Sequence, residues 1–350
     1  MSHFNSTRNG SSPQDHATDK SPPLTPPSCP SPPADKSNGG HGSGQPGASS
    51  PQQSAGASSL APVIVITGCT TGGIGHALVK AFSTMGCRVF ATVRRADAAV
   101  DLVSLDDPNV TVVIMEITDR ESVKRAITAI VQRVGKIDML INNAGVSFSG
   151  PVVEVDVNGM RDTFETNVFG LVNTIQEVVP HMASRQTGRI VNIGSMVGFI
   201  PIPWTGVYCA SKAAVHAITS ALRMELHPFG IDVILVAAGA VKTNISLNTS
   251  KRMEQFNQGF PASPRGGSLY GILKEQINKR PSTHSNGSDP ALFAIRLAGR
   301  LLRKKVPSTI WIGQMSWIFW FLTLLPTWIM EIFITWRFGL GKKMEKVKRQ

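Results

Sequence analysis

The segment APVIVITGCTTGGIGHALVKAF, Ala61–Phe82, joins three local patterns. Val63–Thr67 is a continuous β-branched run, short enough for a buried parallel strand, and it is followed by glycines and then by a helical pattern of apolar residues. This order predicts a strand, a tight glycine-rich turn and a helix whose first N–H groups can bind a pyrophosphate. A plain tight turn would also explain the glycines, so the rest of the chain must decide between the two interpretations.

Strand and helix patterns continue to alternate after this segment. Strand patterns are found at 87–93, 110–117, 137–145, 188–195, 231–243 and 307–313, and helical patterns at 120–135 and 208–227. Strands that alternate with helices predict right-handed crossovers and therefore an α/β fold, a Rossmann-type doubly wound parallel sheet. In such sheets, ligands bind at the carboxyl ends of the strands.

Five short motifs occur at these strand ends and on the helices that follow them. They are TGCTTGGIG (67–75), NNAG (142–145), Asn167 in ETNVFG, Ser195 in IGSMVG and YCASK (208–212). In this order and spacing, the chain resembles the short-chain dehydrogenase/reductase family from about Pro62 to about Gly313. The resemblance implies an oxidoreductase that acts on CH–OH or C=O groups with a nicotinamide cofactor.

The candidate catalytic residues are Ser195, Tyr208, Lys212 and Asn167. Tyr208 and Lys212 lie four residues apart on a predicted helix, so both side chains point to one pocket. We expect the Lys212 ammonium and an oxidised nicotinamide to lower the pKa of Tyr208, which then acts as general acid while Ser195 holds the carbonyl oxygen. The resemblance further implies that Lys212 binds the nicotinamide ribose and that Asn167 holds a water molecule. Without these motifs, a packing tyrosine and a capping serine would be the simpler interpretations.

The cofactor is predicted to be NADPH/NADP+. The end of the second strand, VFATVRR, has no acidic residue to bind a ribose 2′-hydroxyl, whereas Arg94 and Arg95 can bind a 2′-phosphate, Arg94 being the stronger candidate. Two exposed arginines in a turn remain the alternative. The predicted cofactor-binding residues are Gly68, Thr71, Gly73, Ile74, Gly75, Arg94, Arg95, Glu116, Asn143, Ala144, Gly145, Tyr208, Lys212, Val241 and Thr243.

Three features depart from the family pattern. The glycine turn is one residue longer than usual when it is aligned on Gly73–Gly75, and Glu116 stands where an Asp is usual near the adenine. Ala238 occupies a position where proline is common. His181, His216 and His227 are isolated in the sequence and are interpreted as structural or surface residues.

Composition separates the two ends of the chain from this domain, which we place at residues 61–313. Residues 1–60 contain ten of the 23 prolines and few large apolar residues, so they are predicted to form a disordered tail. The four cysteines lack metal-ligand or disulfide spacing, which predicts a reducing compartment and no metal site. From Arg296 to Gln350, eleven Lys or Arg face two Glu, so most of the net charge of +12 lies at the C-terminal end. Since no base-reading module accompanies this charge, we expect no nucleic-acid partner.

Residues 314–350 form a hydrophobic segment with a basic end, predicted to associate with a membrane. Gln314–Met330 is near the lower limit of about 17 residues for a spanning helix, and Pro326 interrupts it. Two short helices that meet near Pro326 and dip into one leaflet are therefore favoured over a crossing, with a soluble dimer interface as a third interpretation. Trp311, Trp317, Trp320, Trp328 and Trp336 all lie in or beside this region, as expected at the level of lipid headgroups.

These features together predict a reductase for a lipid carbonyl. The motifs and the hydrophobic extension resemble the branch of fungal NADPH-dependent 1-acyldihydroxyacetone-phosphate reductases, which implies a cytosol-facing position on the endoplasmic reticulum or lipid droplets. A steroid, retinoid or other carbonyl reductase and a non-catalytic lipid-surface scaffold are the alternatives. The basic segment after Thr243 is predicted to be a lid, and the family resemblance makes a homo-oligomer possible.

Overall fold

The computed structural model describes residues 61–245, 249, 270, 277 and 287–341. All of these residues belong to one compact unit. The predicted disordered tail, most of the predicted lid and the basic residues after Gly341 lie outside the described residues.

The centre of the described domain is a parallel sheet, in the order β3-β2-β1-β4-β5-β6-β7. Every strand pair is parallel, which confirms the predicted doubly wound α/β fold. The strands are β1 Val63–Ile66, β2 Arg88–Val93, β3 Val110–Ile114, β4 Met139–Asn142, β5 Gly188–Ile193, β6 Ile231–Ala238 and β7 Thr309–Ile312. The chain order reverses between β1 and β4, so a crevice opens at their carboxyl ends.

Helices cover both faces of the sheet, which explains why the central strands read as continuous apolar runs. The helices are α1 Ile74–Thr84, α2 Val100–Val103, α3 Arg120–Val134, α4 Val157–Phe164, α5 Gly170–Ala183, α6 Gly206–Glu225, α7 Pro290–Leu301, α8 Ser316–Leu322 and α9 Thr327–Arg337. On one face, Phe82 of α1 and Phe293 of α7 are fully buried against the strands. On the other, Ile127 of α3, Ile175 of α5 and Val215 of α6 form a second core layer.

A buried polar network joins the middle of the sheet to α5 and α6. Asn142 Nδ2 donates to Asn192 Oδ1 (2.9 Å), Thr174 Oγ1 donates to Asn142 Oδ1 (2.6 Å) and Asn192 Nδ2 donates to Thr219 Oγ1 (2.9 Å). A satisfied network of this kind rigidifies its surroundings, because any other arrangement leaves buried polar atoms unpaired. It sets the position of α6, which carries two candidate catalytic side chains, relative to β4 and β5.

The hydrophobic segment after β7 forms two short helices, α8 and α9, with Pro326 immediately before α9. Phe319, Leu322 and Ile334 are buried together with Ile200 of the main domain, so one face of the pair packs on the fold. The break near Pro326 agrees with the sequence prediction. Within the described residues, no helix has both the length and the apolar character needed to cross a membrane.

Three basic residues that precede the hydrophobic segment do not lie beside these helices. Arg303, Lys304 and Lys305 precede β7 and therefore lie at the amino edge of the sheet, where Arg189 at the start of β5 donates to the Arg303 carbonyl (3.1 Å). The helices α8 and α9 follow the carboxyl end of β7. Arg303–Lys305 and the two hydrophobic helices are thus separated by the length of a strand.

Replacement of Phe293 by Ala tests the packing of α7 on the sheet. Phe293 is 2% exposed in the core, and its neighbour Leu292 is 47% exposed on the same helix. We expect Phe293→Ala to lower the free energy of unfolding by about 3–5 kcal/mol because it leaves a cavity. Urea denaturation of the full chain measures this, with Leu292→Ala as the matched control; equal losses in the two variants would contradict the described packing.

Candidate active site

The glycine turn between β1 and α1 is pressed against the end of β4. Gly68 has φ +70°, and a Cβ at this residue would lie 2.7 Å from the Ala144 Cα. Asn143 Nδ2 donates to the carbonyl oxygens of Thr67 (2.8 Å) and Gly68 (3.0 Å). A Cβ at Gly75 would meet the same Asn143 nitrogen at 2.5 Å. The turn therefore needs glycines for close packing, as well as for any approach of a ligand to its backbone.

The N-terminus of α1 is suited to bind an anion. In the described part of the chain, no side chain caps this helix and its first turn has no acidic residue, while Gly73 and Ile74 line the neighbouring cleft. Free N–H groups at the start of an 11-residue helix attract a phosphate through hydrogen bonds and the helix dipole. The residues present thus fit the pyrophosphate of a dinucleotide.

One cleft at the carboxyl edge of the sheet collects nearly all the predicted cofactor residues. The exceptions are Gly75, Arg95 and Val241, which lie outside its lining. The predicted residues that line it are Gly68, Thr71, Gly73, Ile74, Arg94, Glu116, Asn143, Ala144, Gly145, Tyr208, Lys212 and Thr243.

The cleft also contains residues that the sequence analysis did not assign. They are Thr70, Val93, Met115, Ile117, Val146, Thr166, Ile193, Asn244 and Ile245. Val93, Met115 and Ile193 end or follow strands, so the rule that ligands bind at carboxyl ends of strands could have found them. Asn244 could not be found in this way. Its Nδ2 donates to the Thr71 carbonyl (3.0 Å), which joins the segment after β6 to the glycine turn.

Only one of the two candidate arginines lines the cleft. Arg94 lines it, is largely exposed, and has its Nε 3.8 Å from Glu116 Oε2. Arg95 lies outside it and forms an exposed ion pair with Asp97 (3.1 Å). Glu116 is held by Thr118, whose N–H and hydroxyl both donate to Oε1 (3.2 and 3.1 Å). The geometry therefore favours Arg94 over Arg95 as a contact for a ribose phosphate.

The catalytic candidates come together from β5 and α6. Ser195 follows β5 after one intervening residue, Gly194, and its side chain hydrogen-bonds Tyr208. It also caps a short helical turn by accepting from Val197 N (3.3 Å), so the simpler capping interpretation holds as well. Lys212 lies one turn after Tyr208 on α6, with its Nζ 5.8 Å from the Tyr208 ring centroid. This Nζ donates to the Ile193 carbonyl (2.9 Å), so the last residue of β5 positions the ammonium.

Asn167 lies in a π-helical turn, Glu165–Phe169, between α4 and α5. Its Oδ1 accepts from Val146 N (2.8 Å), and its Nδ2 donates to the Val146 carbonyl and to Ser211 Oγ, both at 2.9 Å. A Cβ at Gly145 would lie 3.1 Å from Asn167 Oδ1 and 3.6 Å from Lys212 Nζ. The absence of a side chain at Gly145 therefore keeps the space between the amide and the ammonium open. A carbonyl oxygen can accept a second hydrogen bond, so Asn167 can also hold a water molecule.

The pKa of Tyr208 is shifted in the direction opposite to the sequence expectation. Burial raises it to about 12, the neighbouring Cys209 adds to the increase, and the hydrogen bond with Ser195 opposes it. Burial also lowers the pKa of Lys212 to about 8, because a buried ammonium loses hydration. The expected decrease relied on Lys212 and an oxidised nicotinamide, but desolvation is the largest cause of the shift and Lys212, with its Nζ 5.8 Å from the ring centroid, is not among its causes. Tyr208 consequently keeps its proton at neutral pH, as a general acid must.

His216 is a buried neighbour of this site that the sequence analysis interpreted as isolated. Its Nε2 accepts from the Ser195 backbone N–H (3.4 Å), and room for its ring exists because Gly194 and Gly198 have no Cβ. Burial, followed by the charge on Lys212, lowers the pKa of His216 to about 4, so the ring stays neutral and can accept this hydrogen bond. The four-residue spacing after Lys212 was a signal that both side chains share one helix face.

Comparison with known proteins agrees with this geometry. The sequence model of the short-chain dehydrogenase family matches residues 62–254. The short-chain dehydrogenase ptmH of Penicillium ochrochloron is 34% identical over 277 residues, which cover 77% of this chain and 95% of that protein. A solved short-chain dehydrogenase from Streptomyces avermitilis aligns with a TM-score of 0.65 and 27% identity, covering 81% of this chain and 99% of that one. Another, from Burkholderia cenocepacia J2315 in complex with NADP, aligns with a TM-score of 0.60 and 25% identity, covering 78% and 97%. The chain therefore belongs to the short-chain dehydrogenase/reductase family and is an oxidoreductase that acts on CH–OH or C=O groups.

Proposed function

We propose that this protein reduces a lipid ketone with NADPH, and that 1-acyldihydroxyacetone phosphate, converted to 1-acylglycerol 3-phosphate, is the first substrate to test. The observation that carries the reductase chemistry is the Ser195–Tyr208 hydrogen bond beside the buried Lys212. This pair of residues offers two hydroxyl groups that can hydrogen-bond one carbonyl oxygen, and the phenol is protonated at neutral pH.

The chemistry follows from these residues. A bound nicotinamide supplies the hydride that adds to the carbonyl carbon. Ser195 holds the carbonyl oxygen by a hydrogen bond, and Tyr208 donates its proton to that oxygen as negative charge develops there. The resulting phenolate is stabilised by the nearby Lys212 ammonium. A water molecule held by Asn167 would offer a route by which the phenol regains its proton.

NADPH is the proposed cofactor because Arg94 lines the cleft and has only a long, largely exposed ion pair with Glu116. Its 3.8 Å contact with Glu116 is long for a hydrogen bond, and the guanidinium is free to bind two phosphate oxygens at once. Asp101, the next acidic residue after Asp97, accepts hydrogen bonds from Thr71 and His76. The Asp101 carboxylate already accepts these hydrogen bonds and lies outside the cleft lining. It is therefore not placed to bind the ribose 2′-hydroxyl of NADH.

A lipid substrate is supported by the apolar side chains that pack beside the loop carrying Ser195. Ile200, five residues after Ser195, is buried against Phe319, Leu322 and Ile334 of the C-terminal helices. The loop that carries Ser195 is therefore bordered by a large apolar cluster. In the cell, we expect the protein to act on the cytosolic face of the endoplasmic reticulum or on lipid droplets, where acyl substrates are found. Steroids, retinoids and other apolar carbonyl compounds are the alternative substrates.

Tyr208→Phe tests the mechanism. The substitution removes the proton donor and leaves the aromatic ring, so we expect NADPH oxidation to fall by at least about 100-fold. The dissociation constant for NADPH, measured by fluorescence, should change little. Retention of turnover in this variant would refute the role of Tyr208.

The substrate assignment is tested with the full-length wild-type protein in detergent. It is offered NADPH with acyldihydroxyacetone phosphate, a ketosteroid or retinal in parallel assays, and we expect the phospholipid precursor to have the highest kcat/KM. If it is the poorest substrate, the substrate assignment is wrong while the reductase mechanism stands. No turnover with any carbonyl lipid would favour the non-catalytic scaffold.

Arg94 and Arg95 provide a matched pair for cofactor choice. We expect Arg94→Ala to weaken NADPH binding by about tenfold and to leave NADH binding nearly unchanged, because only the 2′-phosphate contact is lost. Arg95→Ala, which alters an arginine outside the cleft, should leave both affinities unchanged. Equal effects of the two substitutions would contradict the proposed contact.

The pH dependence of cofactor binding tests the state of Lys212. Below its pKa of about 8 the side chain is charged and favours an anionic cofactor; above it the charge is lost. We therefore expect the dissociation constant for NADPH to rise as the pH increases through about 8. The Lys212→Met variant should bind NADPH weakly, and its dissociation constant should show no inflection at this pH. His216 cannot produce the inflection, since its pKa is lowered to about 4. A flat profile for the wild-type protein would contradict the assignment.

A further inference from the structure

The two C-terminal helices expose a continuous set of aromatic and aliphatic side chains on the side that faces away from the domain. We refer to this set as the outer hairpin face. Trp317 and Trp336 are 72% and 73% exposed, among the most exposed large apolar side chains in the described part of the chain. The outer hairpin face consists of Trp317, Trp320, Phe321, Leu324, Trp328, Ile332, Phe333 and Trp336.

The opposite side of the same helices is already packed. Phe319 and Leu322 of α8 and Ile334 of α9 are buried in one cluster with Ile200. The domain therefore holds the hairpin in place. A helix that is apolar on all sides is normally buried on all sides, so the outer hairpin face calls for a second apolar environment.

The chemistry of this face fits the boundary between lipid headgroups and acyl chains. Indole rings favour that level because they combine a large apolar surface with one N–H donor. The helices have 7 and 11 residues, about 10 and 16 Å at 1.5 Å per residue, against a hydrocarbon core of about 30 Å. They suit shallow insertion into one leaflet.

Charge distinguishes a lipid surface from a second copy of the chain. Glu331 and Arg337 are the only charged residues on the two helices. Residues 342–350, which follow directly, include five Lys or Arg and one Glu. A basic stretch that follows an apolar segment in the chain is attracted by anionic headgroups. Two copies of the chain carry the same positive charge in this stretch and therefore repel each other, whereas an anionic lipid surface attracts it.

We propose that the outer hairpin face docks this protein on an anionic lipid surface by inserting its tryptophans into the headgroup region of one leaflet. The hairpin and the cleft both follow carboxyl ends of strands, so docking holds the catalytic edge of the sheet at the bilayer. Phe199 strengthens this link, since its ring lies 4.8 Å from Trp311, next to the hairpin, and 4.3 Å from His216, beside Ser195. The proposal concerns binding alone and stands whether or not the substrate is a lipid.

Vesicle flotation of the full-length protein tests the proposal. Wild-type protein is mixed with vesicles of phosphatidylcholine and phosphatidylserine and, in parallel, with vesicles of phosphatidylcholine alone. We expect stronger binding to the vesicles that contain phosphatidylserine, and a decrease as salt screens the charges. The double variant Trp317→Ser/Trp328→Ser should bind at least about tenfold more weakly, since each indole contributes apolar burial. Glu331→Gln should strengthen binding to the anionic vesicles.

Phe229→Ser is the matched control. Phe229 is 47% exposed, but it precedes β6 and therefore lies at the amino edge of the sheet, opposite the hairpin. This variant should bind vesicles as the wild-type protein does. An unchanged thermal unfolding midpoint shows that each variant is folded; if the double variant is unfolded, Trp336→Ser and quenching of tryptophan fluorescence by brominated lipid replace it.

Two results would overturn the proposal. One is wild-type protein that fails to float with anionic vesicles, or tryptophan variants that float as well as it does. The other is a wild-type dimer, seen by sedimentation, that the tryptophan substitutions convert to a monomer while the wild-type protein does not bind vesicles. The second result would assign the outer hairpin face to a second copy of the chain.

Discussion

The contact between the first glycine turn and the end of β4 is the constraint on which the rest of the site depends. Thr67 Oγ1 accepts from the backbone N–H groups of Asn143 and Ala144, both at 3.0 Å, and Asn143 returns two hydrogen bonds to the carbonyl oxygens of Thr67 and Gly68. These bonds join the two strands between which the chain order reverses. A Cβ at Gly68 would collide with Ala144, so the junction closes only with glycine there. The cleft opens directly above it.

Burial controls the charges around the candidate catalytic residues. Tyr208 keeps its proton because desolvation raises its pKa, and His216 stays neutral because desolvation lowers its pKa. Lys212 keeps a charge that titrates near neutral pH and is held by the Ile193 carbonyl. The polar network below, from Asn142 to Thr219, keeps α6 in register with β4 and β5. The arrangement thus prepares a proton donor, a neutral acceptor for Ser195 and one cation before any ligand binds.

The C-terminal hairpin, formed by α8 and α9, adds two apolar surfaces to this fold. Its inner side completes an apolar cluster with the loop after Ser195, and its outer side presents tryptophans to the surroundings. Membrane association and lipid reduction are separate proposals that share this geometry. If both hold, the hairpin shortens the path of an acyl-chain substrate from the bilayer to the cleft.

The resemblance to the family supplied Ser195, Tyr208 and Lys212 as candidate catalytic residues. Local patterns in the sequence were enough for the parallel α/β fold, the glycine turn and the break near Pro326. Each depends on residues close together in the chain, through periodicity, turn chemistry or helical spacing. Long-range packing decided the remaining features. It placed Arg94, but not Arg95, in the lining of the cleft and joined Asn244 to the glycine turn. It also placed His216 beside Ser195 and Arg303–Lys305 at the edge of the sheet opposite the hairpin. It also reversed the expected pKa shift of Tyr208, because desolvation depends on how many atoms surround a group in three dimensions, and no spacing along the chain reports that number.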